Sequence, residues 1–446
     1  MITRRNIRVW RIAALGALVL FCVTAPGTTM RAQEAEPADA TGTLDSGDAI
    51  VGYRLPPDRL QRAEALYRMR VATFAVGRIY APLVLIAVLA WRVAPRFRDL
   101  AERASRRRFV QALVFVPLIM LSIDALILPL EAFRHHLQQS YGLSVQGWGS
   151  WLWDWTKREM VNVVVSVPVI WGLYAILRRS PTRWWLYGWI ASIPVVLFMT
   201  VVRPIVIAPL FNTFDPLEAK QPELVPYLER VMERGGLSIE RSRMFEMRAS
   251  DNVTTYNAFA TGIGPSKRVV VWDNTSRDLT IPETMFVFGH EQGHYVLNHT
   301  WLRLFFRLCV SLIGLYVAYR CIGAVLARFG PRWGVRDLGD WASLPVLALL
   351  FSLLALIGQP LTAAFSRHLE HQADIYGLEV IHGLVPDSPQ VAARTFQRLG
   401  EKGLAYPAPH PLYVFWTAGH PPLYERLAFA ADYRPWEGEG TTRYID

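Results

Sequence analysis

His290, Glu291, Gln292, Gly293 and His294 place two histidines at i and i+4, with a glutamate directly after the first. On a helix this spacing turns both imidazoles to one side, where they can share a single zinc ion. The glutamate sits one residue round from the first histidine, within reach of a proton on a water held by that ion. The chemistry offered is hydrolysis, with His290 and His294 as metal ligands and Glu291 as general base. Two histidines leave the coordination incomplete, so the reading needs a third ligand from elsewhere in the chain.

The segment from Ser366 to Asp374 offers one. Glu370 and Asp374 stand at i and i+4, so they too share a helix face. Glu370 can close a two-histidine, one-glutamate site that keeps its fourth position open, the arrangement of a catalytic zinc. Asp374, one turn on, can accept the second ring N–H of a ligand histidine and hold its tautomer. Without the histidine pair, Arg367, Glu370 and Asp374 would read as a solvated charged face. His299, His368 and His371 lie near these motifs. They are read as supporting or surface residues, because a fourth protein ligand would leave no room for water.

The elements that must position these residues are largely membrane helices. The chain has 446 residues, 52% hydrophobic, and positive mean hydropathy. Six apolar stretches are long enough to span, at about 73–91, 109–130, 161–177, 184–202, 304–326 and 343–364. A seventh, near 12–28, follows Arg4, Arg5, Arg8 and Arg11 and reads equally as a signal peptide or a first membrane helix. The net charge of +10 does not point to nucleic acid. The arginines gather at membrane flanks, at Arg92, Arg96, Arg98, Arg103, Arg106, Arg107 and Arg108 and again at Arg178, Arg179 and Arg183. Such clusters keep a loop in the cytoplasm and attract anionic headgroups. Cys22, Cys309 and Cys321 all lie in apolar segments and read as buried thiols without metal spacing.

Along the chain, residues 1–30 form the signal peptide or first helix and 31–52 a flexible acidic connector. Residues 53–208 hold an amphipathic surface helix, at 53–70, and four spans. A loop between the second and third spans carries Trp148, Trp151, Trp153 and Trp155, placed as an interfacial belt. Residues 209–302 are soluble in character. They include a helix over 222–236, strands at 243–247 and 269–273, and a turn at Gly264–Pro265. The strand at 269–273 reads equally as an edge able to pair an extended peptide or as an ordinary sheet strand. The histidine-bearing helix starts near Pro282, capped by Thr280. Residues 303–365 give two more spans, and 366–446 the third-ligand helix and a C-terminal part. His135, His136, His382 and His410 read as loop residues, and Asp124 as an intramembrane carboxylate facing a partner or a cavity. Ligands separated by two spans put the site at the membrane face.

With His290-Glu291-x-x-His294, Ser366-Arg367-x-x-Glu370-x-x-Ala373-Asp374, Asn257-Ala258 and Gly419-His420-Pro421-Pro422 with Arg426, the chain resembles the type I CaaX prenyl endopeptidases from about Pro56 onward. These are integral-membrane zinc proteases of the gluzincin type, and the style is that of a bacterial member. The resemblance implies a mostly α, multi-pass bundle of six or seven spans enclosing a chamber, with a zincin-like α+β catalytic domain at the membrane face. It implies one zinc ion per chain, His420 as oxyanion stabiliser, and Asn257 and Arg426 as residues that position substrate or order the site. Arg78, Asp124 and Arg203 would line the chamber, though snorkelling at a helix end explains Arg203 equally well. Gln292 departs from a motif position that is usually apolar.

The resulting expectation is a membrane-embedded zinc metalloendopeptidase, a monomer in the bilayer. Its substrate is either a prenylated CaaX-type peptide or a misfolded or membrane-associated protein. Loop arginines put the zinc domain on the periplasmic side of a bacterial inner membrane, whereas in eukaryotic members it is thought to face the cytosol. A transporter or an inactive peptide-binding scaffold is the competing class, which the intact Glu291 disfavours.

Overall fold

The computed structural model describes residues 49–262, 267–437 and 440–445. The 12–28 segment, the connector up to residue 48, Cys22 and the Gly264–Pro265 turn lie outside the described residues. The helices, in chain order, begin with α1 (Pro57–Ala90), α2 (Val93–Ala104), α3 (Arg108–Ser140), α4 (Trp148–Arg179), α5 (Trp184–Val202) and α6 (Val225–Arg234). They continue with α7 (Ile281–Val296), α8 (His299–Trp333), α9 (Leu344–Ile381), α10 (Ser388–Lys402), α11 (Pro411–Thr417) and α12 (Leu423–Asp432). Among the described residues six helices are long and apolar enough to cross a membrane: α1, α3, α4, α5 with its extension to Leu210, α8 and α9. The shortest runs 27 residues, about 40 Å at 1.5 Å per residue, against a hydrocarbon core of about 30 Å. Val164, Phe305 and Ile357 stay exposed, as lipid-facing side chains do.

The two ends of this bundle differ. At one end the arginine-rich connections knit together. Arg98 Nη1 donates to Asp340 Oδ2 at 2.7 Å, Arg336 Nη1 to Glu102 at 2.9 Å, and Arg178 Nε to the Gly339 carbonyl at 2.9 Å. At the other end the connection after α3 bridges to the soluble part, with Val145 N–H donating to the Asn252 carbonyl at 3.1 Å. There, too, the segment before α1 runs along α10. Gln390 Oε1 accepts from Ile50 N–H at 2.9 Å and Gln397 Nε2 donates to the Arg54 carbonyl at 2.6 Å.

Four short strands, β1 (Phe214–Pro216), β2 (Met244–Met247), β3 (Ala258–Thr261) and β4 (Arg268–Trp272), form a sheet ordered β1-β2-β4-β3. β4 pairs parallel with β2, Val269 opposite Met244, and antiparallel with β3, Val271 opposite Ala258. Val269, Val270 and Val271 are all fully buried, as a central strand requires. Of the two readings of 269–273, the ordinary sheet strand is the one found, and the edge on that side is β3.

Two apolar cores result. One sits at the arginine-rich end around Phe115, Tyr174, Trp184, Trp341 and Phe351, the other in the soluble part around Leu228, Val269, Phe286, Phe396 and Leu427. α9 joins both, through Leu344 and Leu347 at its start and Tyr376, Leu378 and Val380 near its end. The structure corrects several further expectations. Residues 57–70 continue into the first span as one helix, because nothing between them breaks the backbone ladder. Trp148 to Trp155 form the opening turns of α4 rather than a loop. The 92–108 connection contains α2, with Arg98 buried against Asp340. His135 is buried within α3, stacked on Trp151. His136 is likewise in α3, His410 caps α11, and Cys309 and Cys321 are only partly buried.

Candidate active site

The helix carrying His290 and His294 is defined at its start. Thr280 Oγ1 accepts from Glu283 N–H at 3.4 Å, while Glu283 Oε2 accepts from Thr280 N–H at 2.8 Å, a reciprocal capping box followed by Pro282 in the first turn. Arg398 from α10 ties the same carboxylate at 2.8 Å. α7 then crosses α9 with the two backbones almost touching. A Cβ on Gly377 would stand 3.0 Å from His290 N and 3.2 Å from its Cα, and one on Gly289 would stand 2.7 Å from Val380 Cγ1. Only glycines permit this approach, and it carries Glu370, two turns before Gly377, to the histidine face.

The structure brings His290, His294 and Glu370 together, their potential ligand atoms all within 4.8 Å of one another. His290 Nε2 and His294 Nε2 each lie 3.4 Å from a Glu370 oxygen. His290 Nε2 is buried and has no hydrogen-bond partner. Two imidazole nitrogens and a carboxylate converging on one point form the donor set that suits a divalent zinc ion.

Asp374 Oδ1 lies 2.8 Å from His290 Nδ1 and is gripped in turn by Arg426, through Nε at 2.9 Å and Nη2 at 2.6 Å. Arg426 is buried, its guanidinium 4.5 Å over the Phe396 ring. His420 Nε2 stands 3.1 Å from Glu370 Oε2 on a partly exposed loop. Arg367 steadies that loop, its Nη1 donating to the carbonyls of Val414 at 3.3 Å and Ala418 at 2.8 Å. Asn257 is buried just before β3. Its N–H donates to Thr275 Oγ1 at 2.7 Å and its carbonyl accepts from the same hydroxyl at 2.8 Å.

Burial dominates the electrostatics. It lifts the Glu291 carboxyl to about 7, with the Glu370 charge adding to the rise. It pushes His294 down to about 3. It would lower His290 as well, but the neighbouring Asp374 and Glu370 carboxylates outweigh it and raise that ring to about 9.

Sequence reasoning missed Arg303, whose Nη2 donates to Glu370 Oε1 at 2.6 Å. The available signal was an arginine between Leu302 and Leu304 at the head of a span, with Arg307 one turn on, where a charge calls for a partner. It also gave no role to Gly289 and Gly377.

Residues 218–434 match Peptidase family M48, and residues 50–213 match the family described as CAAX prenyl protease N-terminal, five membrane helices. An uncharacterized metalloprotease of Bacillus subtilis, YhfN, is 30% identical over 381 residues, 84% of this chain and 86% of that protein. CAAX prenyl protease 1 of Saccharomyces cerevisiae is 27% identical over 342 residues, 72% of each chain. The crystal structure of S. mikatae Ste24p is similar in fold, with a TM-score of 0.72 and 22% identity, covering 96% of this chain and 100% of that one. A bundle of six membrane-capable helices joined to a metalloprotease domain thus has both its parts accounted for, and the chain belongs to the type I CAAX prenyl endopeptidase family of integral-membrane metalloproteases, within peptidase family M48.

Proposed function

We propose that the protein is a zinc endopeptidase in which His290, His294 and Glu370 hold one ion per chain and Glu291 is the general base. The observation that carries this reading is the convergence of those three donors beside the buried Glu291 carboxyl. Zinc, when bound, supplies a Lewis acid that polarises the scissile carbonyl and brings the pKa of a water to about 7. Glu291 takes a proton from that water as its oxygen attacks the carbonyl carbon, and returns the proton to the leaving nitrogen as the C–N bond breaks. A carboxyl lifted to about 7 exchanges a proton readily at neutral pH. His420 Nε2 donates to the oxygen that becomes negative. Asp374, held by Arg426, keeps the His290 proton on Nδ1 and leaves Nε2 for the metal. Asn257 positions an extended substrate that pairs with the edge of β3.

The arginine-rich end belongs in the cytoplasm by the positive-inside rule. The opposite end, where α7 lies, then faces the periplasm of a bacterial inner membrane. That side favours misfolded or membrane-associated polypeptides over CAAX peptides as substrates, cleaved by a monomer. The test uses two matched fluorogenic peptides in detergent, one farnesylated at a CAAX cysteine and one unmodified, with wild type, Glu291→Gln and a chelated sample. Comparable cleavage of both peptides, lost in both controls, is expected. Cleavage of the farnesylated peptide alone assigns prenyl-protein processing instead. Absence of Glu291-dependent cleavage with zinc bound refutes the protease reading.

A further inference from the structure

We propose that His299 is a positioning residue, which sets the ring tautomer of His294 through a relay of two hydrogen bonds ending on Gln372. His299 is buried as the first residue of α8. Asn298, left-handed at φ 58°, turns the chain sharply between α7 and α8 and folds His299 back beneath His294. His294 Nδ1 and His299 Nδ1 then face each other at 2.9 Å, and His299 Nε2 faces Gln372 Oε1 at 3.2 Å.

The direction of the relay follows from what each atom can do. An amide oxygen only accepts, so the His299 proton sits on Nε2. A neutral imidazole has one N–H, which leaves His299 Nδ1 bare and able to accept. Its partner must then be the Nδ1–H of His294, and His294 Nε2 is left bare on the side of Glu370, 3.4 Å away. The reverse arrangement would set the lone pair of His299 Nε2 against the Gln372 oxygen. A doubly protonated His299 would put a second cation beside Arg303. That guanidinium lies 3.4 Å from His294 Nδ1, although its short bond, at 2.6 Å, goes to Glu370. With the Gln372 oxygen facing the ring, this pattern satisfies His294, His299 and Gln372 together, and it presents His294 Nε2 as a metal donor.

The two histidines are therefore supported differently. His290 leans on a carboxylate and a buried arginine, His294 on a neutral imidazole and an amide. Gln372 lies two residues beyond Glu370 on α9, so the relay also ties the two membrane helices that meet at the site. Removing the His299 acceptor frees His294 to turn or to take the other tautomer. Loss of such an outer partner weakens metal binding by about 10–100-fold.

The inference rests on the zinc reading above, and the experiment separates the two. Full-length protein in detergent is loaded with zinc, and release to a colorimetric chelator is timed, with melting of the chelated protein as a fold control. His299→Leu is expected to release zinc about 10–100-fold faster, and His299→Gln, which keeps an acceptor, to restore much of the difference. Release from His299→Leu at the wild-type rate overturns the inference. So does equally fast release from both variants at unchanged melting temperature. If His299→Leu does not fold, Gln372→Leu decides, with faster release expected and wild-type release overturning. A wild type that holds no zinc, or a His290→Ala variant that holds it as tightly, refutes the zinc reading instead.

Discussion

Replacing Arg426 by methionine isolates the energetics of the ion pair beneath the site. Asp374 and Arg426 are 1% and 3% exposed at their side chains and share two bonds, at 2.6 and 2.9 Å. Neither charge has water to fall back on. Arg426→Met leaves the Asp374 carboxylate buried with only His290 Nδ1 nearby, and breaking a buried pair from one side costs about 3–5 kcal/mol. Asp374→Asn with Arg426→Met removes both charges, and the asparagine oxygen still accepts from His290. Neutral replacement of a buried pair costs little, so the double variant should recover about 2–4 kcal/mol of that loss. The assay is equilibrium unfolding of the detergent-solubilised, chelated protein, followed by tryptophan fluorescence, for wild type, both single variants and the double. A cost for Arg426→Met below about 1 kcal/mol would mean that the pair behaves as a solvated one. Strict additivity in the double variant would show that the two side chains are not coupled. Either result would falsify the reasoning.

Other consequences are open to measurement. Glu291→Gln should lower peptide hydrolysis by about 10²–10⁴-fold while elemental analysis finds the zinc content unchanged. Gly377→Ala pushes a methyl against the His290 main chain, which cannot swing away. It should cost about 1–3 kcal/mol and lower zinc occupancy, whereas Gly314→Ala, with nothing within 4 Å of the new Cβ, should melt no lower than wild type. The His382 ring stacks on Trp436 and is lowered below its ordinary value, first by burial and then by Arg234. A base lowered in the fold favours the native state above pH about 6.5 and loses that contribution as pH falls through its folded value. His382→Gln should therefore flatten thermal stability against pH on the acid side of 6.5, and an unchanged acid limb would contradict this. In intact bacterial cells, a membrane-impermeant maleimide should label Glu240→Cys in the catalytic part and spare Ser180→Cys at the arginine-rich end. The opposite pattern reverses the proposed orientation.

How much could be read from the chain depended on how far each feature reaches. The apolar stretches announced themselves because a bilayer demands about 20 apolar residues in a row, and each of the six coincides with an observed helix, the first overrunning its end by one residue. The start of α7 was equally plain, since Thr280, Pro282 and Glu283 make their cap within one turn. Where hydropathy changed along a continuous helix, as between residues 57–70 and the rest of α1, reading polarity as a boundary misled. Three valines in a row at β4 are the mark of a strand buried on both faces, and they decide between the edge and the interior reading of 269–273.

By itself, the sequence determined which residues could do chemistry and that the chain is threaded through a membrane, because helix period and hydrophobic length are local properties. Tertiary structure decided what those residues touch. Glu370 lies 76 positions beyond His294, and only the glycine-lined crossing of α7 and α9 brings them together. Arg303 on Glu370, His299 between His294 and Gln372, and Arg426 on Asp374 all join groups from different helices. No spacing along one helix encodes such contacts, because they form only where separate helices pack, and there burial makes an unpartnered charge too costly to leave.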